Sequence, residues 1–219
     1  MAQPAYRPHR LSLTLFRTDE LDWVRQRSGL DLRRAAEGYL ANAAGILKPY
    51  GLSLDMEPAA KPKDQALGHR LPFHGPVVVQ TQYLEIQRKI REQLPDDRRR
   101  LAVVFTSLLE ISLFGPGFGP LCLPDGSSRT EARLPTTYAL TVNKLFTHFV
   151  LVNLRHFTSN KIVLAHEIGH AAGLAHQLVP VCTANKPGNL MNESAEFAGT
   201  KLEDWQVWAF QGAFFARKA

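Results

Sequence analysis

In the first quarter of the chain, the spacing of apolar residues changes from every second position to every third or fourth position. Residues 11–17 (LSLTLFR) alternate apolar and polar side chains, which is the period of a β-strand with one buried face. Across residues 32–47 the apolar side chains recur every three or four positions, as they do on an amphipathic helix. Thr18 and Asp19 are candidate caps ahead of that helix. The chain is therefore predicted to open with a strand followed by a long helix.

Proline and glycine then divide the chain into shorter units. Pro49 and Gly51 are predicted to end the helix, after which residues 52–56 alternate again as a second strand. Residues 57–75 contain several Pro and Gly residues and are predicted to form an exposed connection. Residues 114–128 are also rich in Gly and Pro, so we expect a surface loop without regular structure there.

Four further segments have the pattern of regular structure. A helix is predicted over residues 82–94, and the continuous apolar run LAVVF at residues 101–105 is typical of a central strand that is buried on both faces. Residues 137–142 and 149–154 are predicted to pair as a hairpin, with residues 143–148 as the turn.

Composition places the chain among ordinary globular proteins. Hydrophobic residues make up 45% and charged residues 21%, which argues against disorder, and no apolar run reaches the roughly 18 residues of a membrane span. Residues 1–10 lack the apolar core of a signal peptide, so the localisation stays open between the cytoplasm and export without a leader.

The net charge is +6, but the basic residues 88–100 alternate with acidic ones and lack interleaved aromatics. They predict a solvated helix face rather than a nucleic-acid site.

The segment HEIGHAAGLAH, residues 166–176, carries the candidate chemistry. His166 and His170 lie four residues apart, so on a helix their imidazoles project from one face and can bind one metal ion. Glu167 is placed to deprotonate a metal-bound water. Gly173 can adopt a positive φ, end the helix and turn the chain so that His176 becomes the third ligand. Three neutral histidines leave the fourth tetrahedral position for water, which is typical of one catalytic Zn²⁺ ion.

This segment is similar to the HExxHxxGxxH signature of the metzincin zinc endopeptidases, and GNLMNES at residues 188–194 resembles their Met-turn. The resemblance implies that Met191 is a packing residue beneath the zinc site and not a ligand. Ser159 and Asn160 are candidate caps of the zinc-binding helix. Residues 201–215 are predicted to form the last helix, and Thr200 and Glu203 its capping box.

The resemblance also implies an α+β fold in a single domain over residues 1–219. Residues 1–158 are expected to form the part with the sheet and its long backing helix, and residues 159–219 the part with the active-site helix, the Met-turn and the C-terminal helix. The sheet is expected to be mixed, mostly parallel and twisted, with an antiparallel edge strand.

The chain departs from some members of that family. Astacin-like and serralysin-like enzymes carry a Tyr two residues after the turn methionine, where this chain has Glu193. It also lacks the four-cysteine set of archaemetzincins and clear matrixin loops for calcium and structural zinc, so the nearest resemblance is to minimal, matrixin-like bacterial forms. Cys122 and Cys182 leave open a disulfide, two unreactive thiols or an inhibitory role for Cys122.

The predicted function is hydrolysis of peptide bonds by a zinc-activated water, with Glu167 as general base and then general acid. Two alternatives stay open: a zinc hydrolase of a non-protein amide, and a basic binding protein that keeps the zinc site without turnover. The predicted partner is a protein or peptide bound in extended form along the edge of the hairpin. The resemblance implies a large apolar residue after the scissile bond. We expect a monomer, no nucleic acid and no membrane span.

Overall fold

The structure is a computed structural model of the chain. It describes residues 6–19, 21, 31–56, 68–72, 77–93, 99–106, 109–110, 117–122, 128–133, 139–144, 147–154, 161–176, 188–192 and 199–219. Four helices are described, namely α1 (Leu32–Leu47), α2 (Val79–Gln93), α3 (Val163–Ala171) and α4 (Asp204–Gly212). The described strands are β1 (His9–Thr18), β2 (Leu52–Met56), β3 (His69–Leu71), β4 (Val77–Val78), β5 (Leu101–Thr106), β6 (Leu109–Glu110), β7 (Gly117–Cys122), β8 (Ser128–Arg133), β9 (Ala139–Lys144), β10 (Thr147–Asn153) and β11 (Ala216–Lys218).

A mixed sheet forms the centre of the molecule. Strands β1, β5 and β10 are parallel neighbours, and β9 pairs antiparallel with β10 at one end of the sheet. Strands β2 and β3 pair with β1 in parallel, whereas β11 pairs with it antiparallel. The predicted α+β class, mostly parallel sheet and antiparallel edge strand are confirmed. The central position predicted for residues 101–105 is also confirmed, because β5 lies between β1 and β10.

One face of the sheet buries three of the four described helices. Helices α1, α3 and α4 share one apolar cluster with alternate residues of the central strands, including Leu13, Val103 and Val150. The intervening strand residues point to the opposite face. Ile86 and Ile90 of α2 are fully buried but lie outside that cluster. The candidate chemistry of residues 166–176 therefore lies on the face that carries α1 and α4.

The first helix has a different cap from the predicted one. Asp31 precedes α1, and its side chain accepts a hydrogen bond from the backbone N–H of Arg34 at 3.0 Å. Thr18 is instead the last residue of β1 and donates its hydroxyl to the carbonyl of Phe105, so its side chain stabilises the sheet. The predicted end is confirmed, since α1 passes through one 3₁₀ turn into Gly51 at φ 70°.

Two segments that were expected to be irregular contain strands. The connection at residues 57–75 includes β3, and most of its other residues lie outside the described part. Residues 114–128 were expected to lack regular structure, yet β7 and β8 form an antiparallel two-stranded sheet. Each strand of such a pair has an outward edge, and Pro is tolerated on an edge because its missing N–H breaks no second ladder. This explains why Pro120 can pair with Thr130.

The predicted hairpin is confirmed with a shorter turn. Asn143 and His148 were assigned to the turn, but they are paired residues of β9 and β10. The helix predicted over residues 82–94 is also confirmed and begins earlier, at Val79. None of the helices among the described residues combines the length and apolar character that crossing a bilayer requires.

The caps of the last two helices differ from prediction. The N-cap of α3 is Ile162, while Ser159 and Asn160 lie outside the described residues. The capping box of α4 joins Glu203 and Gln206 rather than Thr200 and Glu203. Its register shifts because the backbone of Lys201 pairs with residues 188 and 190, which keeps the chain extended until Glu203.

The last helix is also shorter than predicted. Helix α4 ends at Gly212, after which Ala213 is extended and β11 pairs with β1. Residues 213–215 therefore connect the helix to the sheet instead of prolonging the helix.

Candidate metal centre

Three histidines meet at the end of α3. His166 and His170 lie one turn apart on the helix, and His176 follows the turn after it. The Nε2 atom of His170 is 3.0 Å from the Nε2 atoms of both other rings, which are 3.1 Å from each other. Among the described residues, this is the one group of three or more His, Cys, Asp or Glu side chains close enough to share a metal ion. The predicted ligand set is thus brought together.

The size of this triangle suits one transition-metal ion. A triangle with these sides has a circumradius of about 1.8 Å, slightly less than the 2.0–2.1 Å of a Zn–N bond. The three nitrogens could therefore all bind one ion.

Backbone carbonyls fix the tautomers of two rings. The Nδ1 atom of His166 is 2.6 Å from the carbonyl oxygen of Leu190, and that of His170 is 2.7 Å from the carbonyl oxygen of Leu174. A carbonyl only accepts, so each Nδ1 carries the proton and each Nε2 of the neutral ring presents a lone pair. Two lone pairs that face each other at 3.0 Å repel unless a cation lies between them. The three imidazoles could therefore hold a metal ion.

Burial keeps His166 neutral. Its pKa is lowered from 6.5 to about 4, first by desolvation; the Leu190 carbonyl acts in the opposite direction, and the charges of His170 and His176 lower the pKa further. At neutral pH the ring is therefore uncharged, the form in which an imidazole binds metal.

The turn after α3 positions both the second and the third histidine. Gly173 adopts φ 91°, its N–H donates to the carbonyl of His170 at 2.9 Å, and the N–H of Leu174 donates to the carbonyl of Gly169 at 3.0 Å. These two bonds form a Schellman motif, which ends a helix through a left-handed residue. Gly173 has the predicted positive φ and lies where the helix ends, and its role at a metal site stays a prediction. The same turn directs the Leu174 carbonyl back to His170.

Met191 lies directly beneath α3. It is fully buried, and a Cβ atom added to Gly169 would be 2.5 Å from its sulfur and 3.4 Å from the ring of Phe210. Gly169 thus lets the methionine approach the helix between the turns that carry the two histidines. Met191 therefore packs against α3 as a buried apolar side chain, and its place beneath a zinc ion stays a prediction.

Glu167 is buried, with 7% of its surface exposed, and follows the first ligand on α3. Sequence reasoning identified this residue and the three histidines, but it missed Gly169, Leu174 and Leu190. Gly169 had a signal, since a glycine in mid-helix often marks a close approach. The two carbonyls had none, because any residue supplies one.

Cys182 lies outside the described residues, so the states proposed for the two cysteines stay predictions.

Comparison with protein families and with curated proteins returns no match for this chain.

Proposed function

We propose that the chain is a zinc-dependent endopeptidase of the metzincin type, with His166, His170 and His176 as ligands of one catalytic Zn²⁺ ion. The observation that carries the proposal is the geometry of the three Nε2 atoms, 3.0–3.1 Å apart and converging on one point. Three imidazoles suit zinc among the common divalent ions, and a site with three protein ligands keeps a position for water.

Glu167 carries the proton in this proposal. When bound, zinc supplies a Lewis acid that makes a water molecule acidic and polarises the scissile carbonyl. The carboxylate of Glu167 accepts a proton from the attacking water as the new C–O bond forms. It then donates that proton to the amine nitrogen as the C–N bond breaks, so one residue serves as base and acid. Glu167 is buried and directly follows the first of the three histidines on α3, which supports this role.

The position of α3 supports a peptide substrate. Helix α3 packs against β9 and β10, and no strand among the described residues pairs with the outer edge of β9. A peptide in extended form can add to such an edge through backbone hydrogen bonds, which would align its backbone beside the zinc helix. A large apolar residue is expected after the scissile bond.

The variant Glu167→Gln tests the proposal. Gln is nearly isosteric but cannot accept the proton, so turnover should fall at least about a hundredfold while zinc content and thermal stability are kept. The matched control is Glu92→Gln, which makes the same change on α2 at a side chain that is 55% exposed. Both variants and the wild type are incubated with a proteome-derived peptide library, and cleavage rates and sites are read by mass spectrometry.

The possible outcomes separate the alternatives. Undiminished cleavage by zinc-loaded Glu167→Gln would show that Glu167 is not the base. A zinc-loaded wild type that cleaves no peptide would favour a hydrolase of another amide or a binding protein. A predominance of acidic or basic residues after the cleaved bond would contradict the expected large apolar residue but leave the zinc assignment intact.

A further inference from the structure

A buried polar network connects α4 to the segment that contains Met191. Gln206 is fully buried and completes the capping box of α4, since its Oε1 atom accepts from the N–H of Glu203 at 2.8 Å. The same amide extends beyond its helix to Asn189, which is 3% exposed. The Oε1 atom of Gln206 accepts from Nδ2 of Asn189 at 3.0 Å, and its Nε2 atom donates to Oδ1 of Asn189 at 3.2 Å.

Asn189 in turn shapes the backbone beneath the metal site. Its Oδ1 atom accepts from the N–H of Met191 at 2.8 Å, and its backbone carbonyl accepts from the N–H of Gly199 at 3.1 Å. The Leu190 carbonyl and the Met191 N–H belong to the same planar peptide group. The bond from this N–H to Asn189 therefore also sets the direction of the Leu190 carbonyl. That carbonyl holds Nδ1 of His166 at 2.6 Å.

We propose that Gln206 and Asn189 are positioning residues for the metal centre. They act through the turn at residues 189–191, which directs the Leu190 carbonyl to His166, and through His166 they set the affinity and geometry of the bound ion. A carbonyl that orients a metal-binding imidazole influences the metal strongly, and loss of such a contact typically lowers affinity 10–100-fold. The inference rests on the metal-binding part of the proposed function and not on peptide cleavage.

Gln206 and Asn189 differ from an ordinary helix cap because they connect α4 to the turn at residues 189–191. Glu203 also belongs to the capping box of α4, and its Oε2 atom accepts from the indole N–H of Trp205 at 2.7 Å. Replacing Glu203 damages the cap but leaves both side-chain bonds between Gln206 and Asn189 in place, whereas replacing Gln206 damages the cap and removes those bonds. The two variants separate a stabilising role from a positioning role.

The experiment compares Gln206→Leu with Glu203→Ala in the full chain. Zinc affinity is measured by competition with a chromogenic chelator, the coordination geometry by the visible absorption of the Co²⁺-substituted protein, and stability by thermal unfolding without metal. Both variants should lower the unfolding temperature. Only Gln206→Leu should weaken zinc binding, by about 10–100-fold, and change the Co²⁺ spectrum.

Gln206→Glu keeps the experiment decisive if Gln206→Leu does not fold. This variant retains an oxygen to accept from Glu203 and Asn189 but loses the donor to Oδ1 of Asn189, so a smaller loss of zinc affinity is expected. A folded Gln206 variant with the affinity and Co²⁺ spectrum of the wild type would overturn the inference, as would equal effects of Glu203→Ala. A wild type that binds zinc but cleaves nothing would overturn the endopeptidase proposal alone.

Discussion

Helices α2 and α3 both place interacting side chains four residues apart, but they hold them in different ways. On α2, Arg88 and Glu92 form an ion pair at 2.6 Å with side chains that are 64% and 55% exposed. On α3, His166 and His170 each donate a ring proton to a backbone carbonyl from outside the helix or from its terminal turn. The exposed pair can exchange its partner for water, whereas the two imidazoles are held in one orientation.

The comparison shows what spacing alone contributes to a site. Side chains at positions i and i+4 meet on any helix, and an exposed ion pair at that spacing is worth about 0.3–0.5 kcal/mol. A metal centre requires in addition that each donor is aimed before the ion arrives, since ordering flexible side chains costs binding free energy. On α3 the hydrogen bonds to the Leu190 and Leu174 carbonyls fix the orientation of the two imidazoles.

The largest expected effect is the loss of bound zinc when one of the proposed ligands is removed. Wild-type protein is expected to hold one Zn²⁺ ion per chain after dialysis, because the described residues offer one group of three ligands. His170→Ala leaves two imidazoles and should lose stoichiometric zinc, while Arg88→Ala on α2 should keep it. Elemental analysis measures the metal content of all three proteins. Two ions of similar affinity in the wild type, or full zinc retention by His170→Ala, would contradict the assignment.

Substituting Gly169 with Ala should have an intermediate effect on stability and on zinc affinity. The added Cβ of Gly169→Ala lies 2.5 Å from the sulfur of Met191, so the methionine or the helix must shift. Such overpacking costs about 1–3 kcal/mol, against a gain of up to about 1 kcal/mol in helix propensity. We expect the free energy of unfolding in urea to fall by about 1–2 kcal/mol and the zinc affinity to fall with it.

A second background isolates the Gly169 contact. In Met191→Ala protein the space beneath α3 is empty, so adding Gly169→Ala should no longer destabilise and should recover part of the loss from the cavity. A double-mutant cycle in urea measures this coupling. Additive effects of the two substitutions would show that Gly169 and Met191 do not interact as the structure has them.

Much of the fold and the histidine cluster could be predicted because the relevant signals are local. The three- to four-residue period of α1 and the continuous apolar run of β5 each report the burial of a single element. The positions of His166, His170 and His176 follow from helix spacing and one glycine. In contrast, the cap at Glu203 depends on pairing between Lys201 and residues 188–190, which lie outside the helix it starts.

Contacts between distant segments escaped prediction for the same reason. The approach of Met191 to Gly169 and the hydrogen bond from His166 to Leu190 join residues more than 20 positions apart. A backbone carbonyl has no residue type, so no pattern marks it in advance. The β7–β8 pair was missed because Gly and Pro disfavour central strands, although they are tolerated at the edges of a two-stranded sheet.

The smallest expected effect is on α2. Glu92→Gln removes the charge that pairs with Arg88, while Lys89 keeps its own pair with Glu85 at 2.7 Å. Since both side chains of the Arg88 pair are more than half exposed, solvent screens the attraction, and the free energy of unfolding should change by no more than about 0.5 kcal/mol. The difference from the wild type should shrink further at 1 M salt, where the screening length falls to about 3 Å. Urea unfolding at low and high salt measures the change, and zinc content serves as the second readout. A loss above 1 kcal/mol, or any loss of zinc, would mean that α2 supports the metal centre and that the two helices do not differ in the way described.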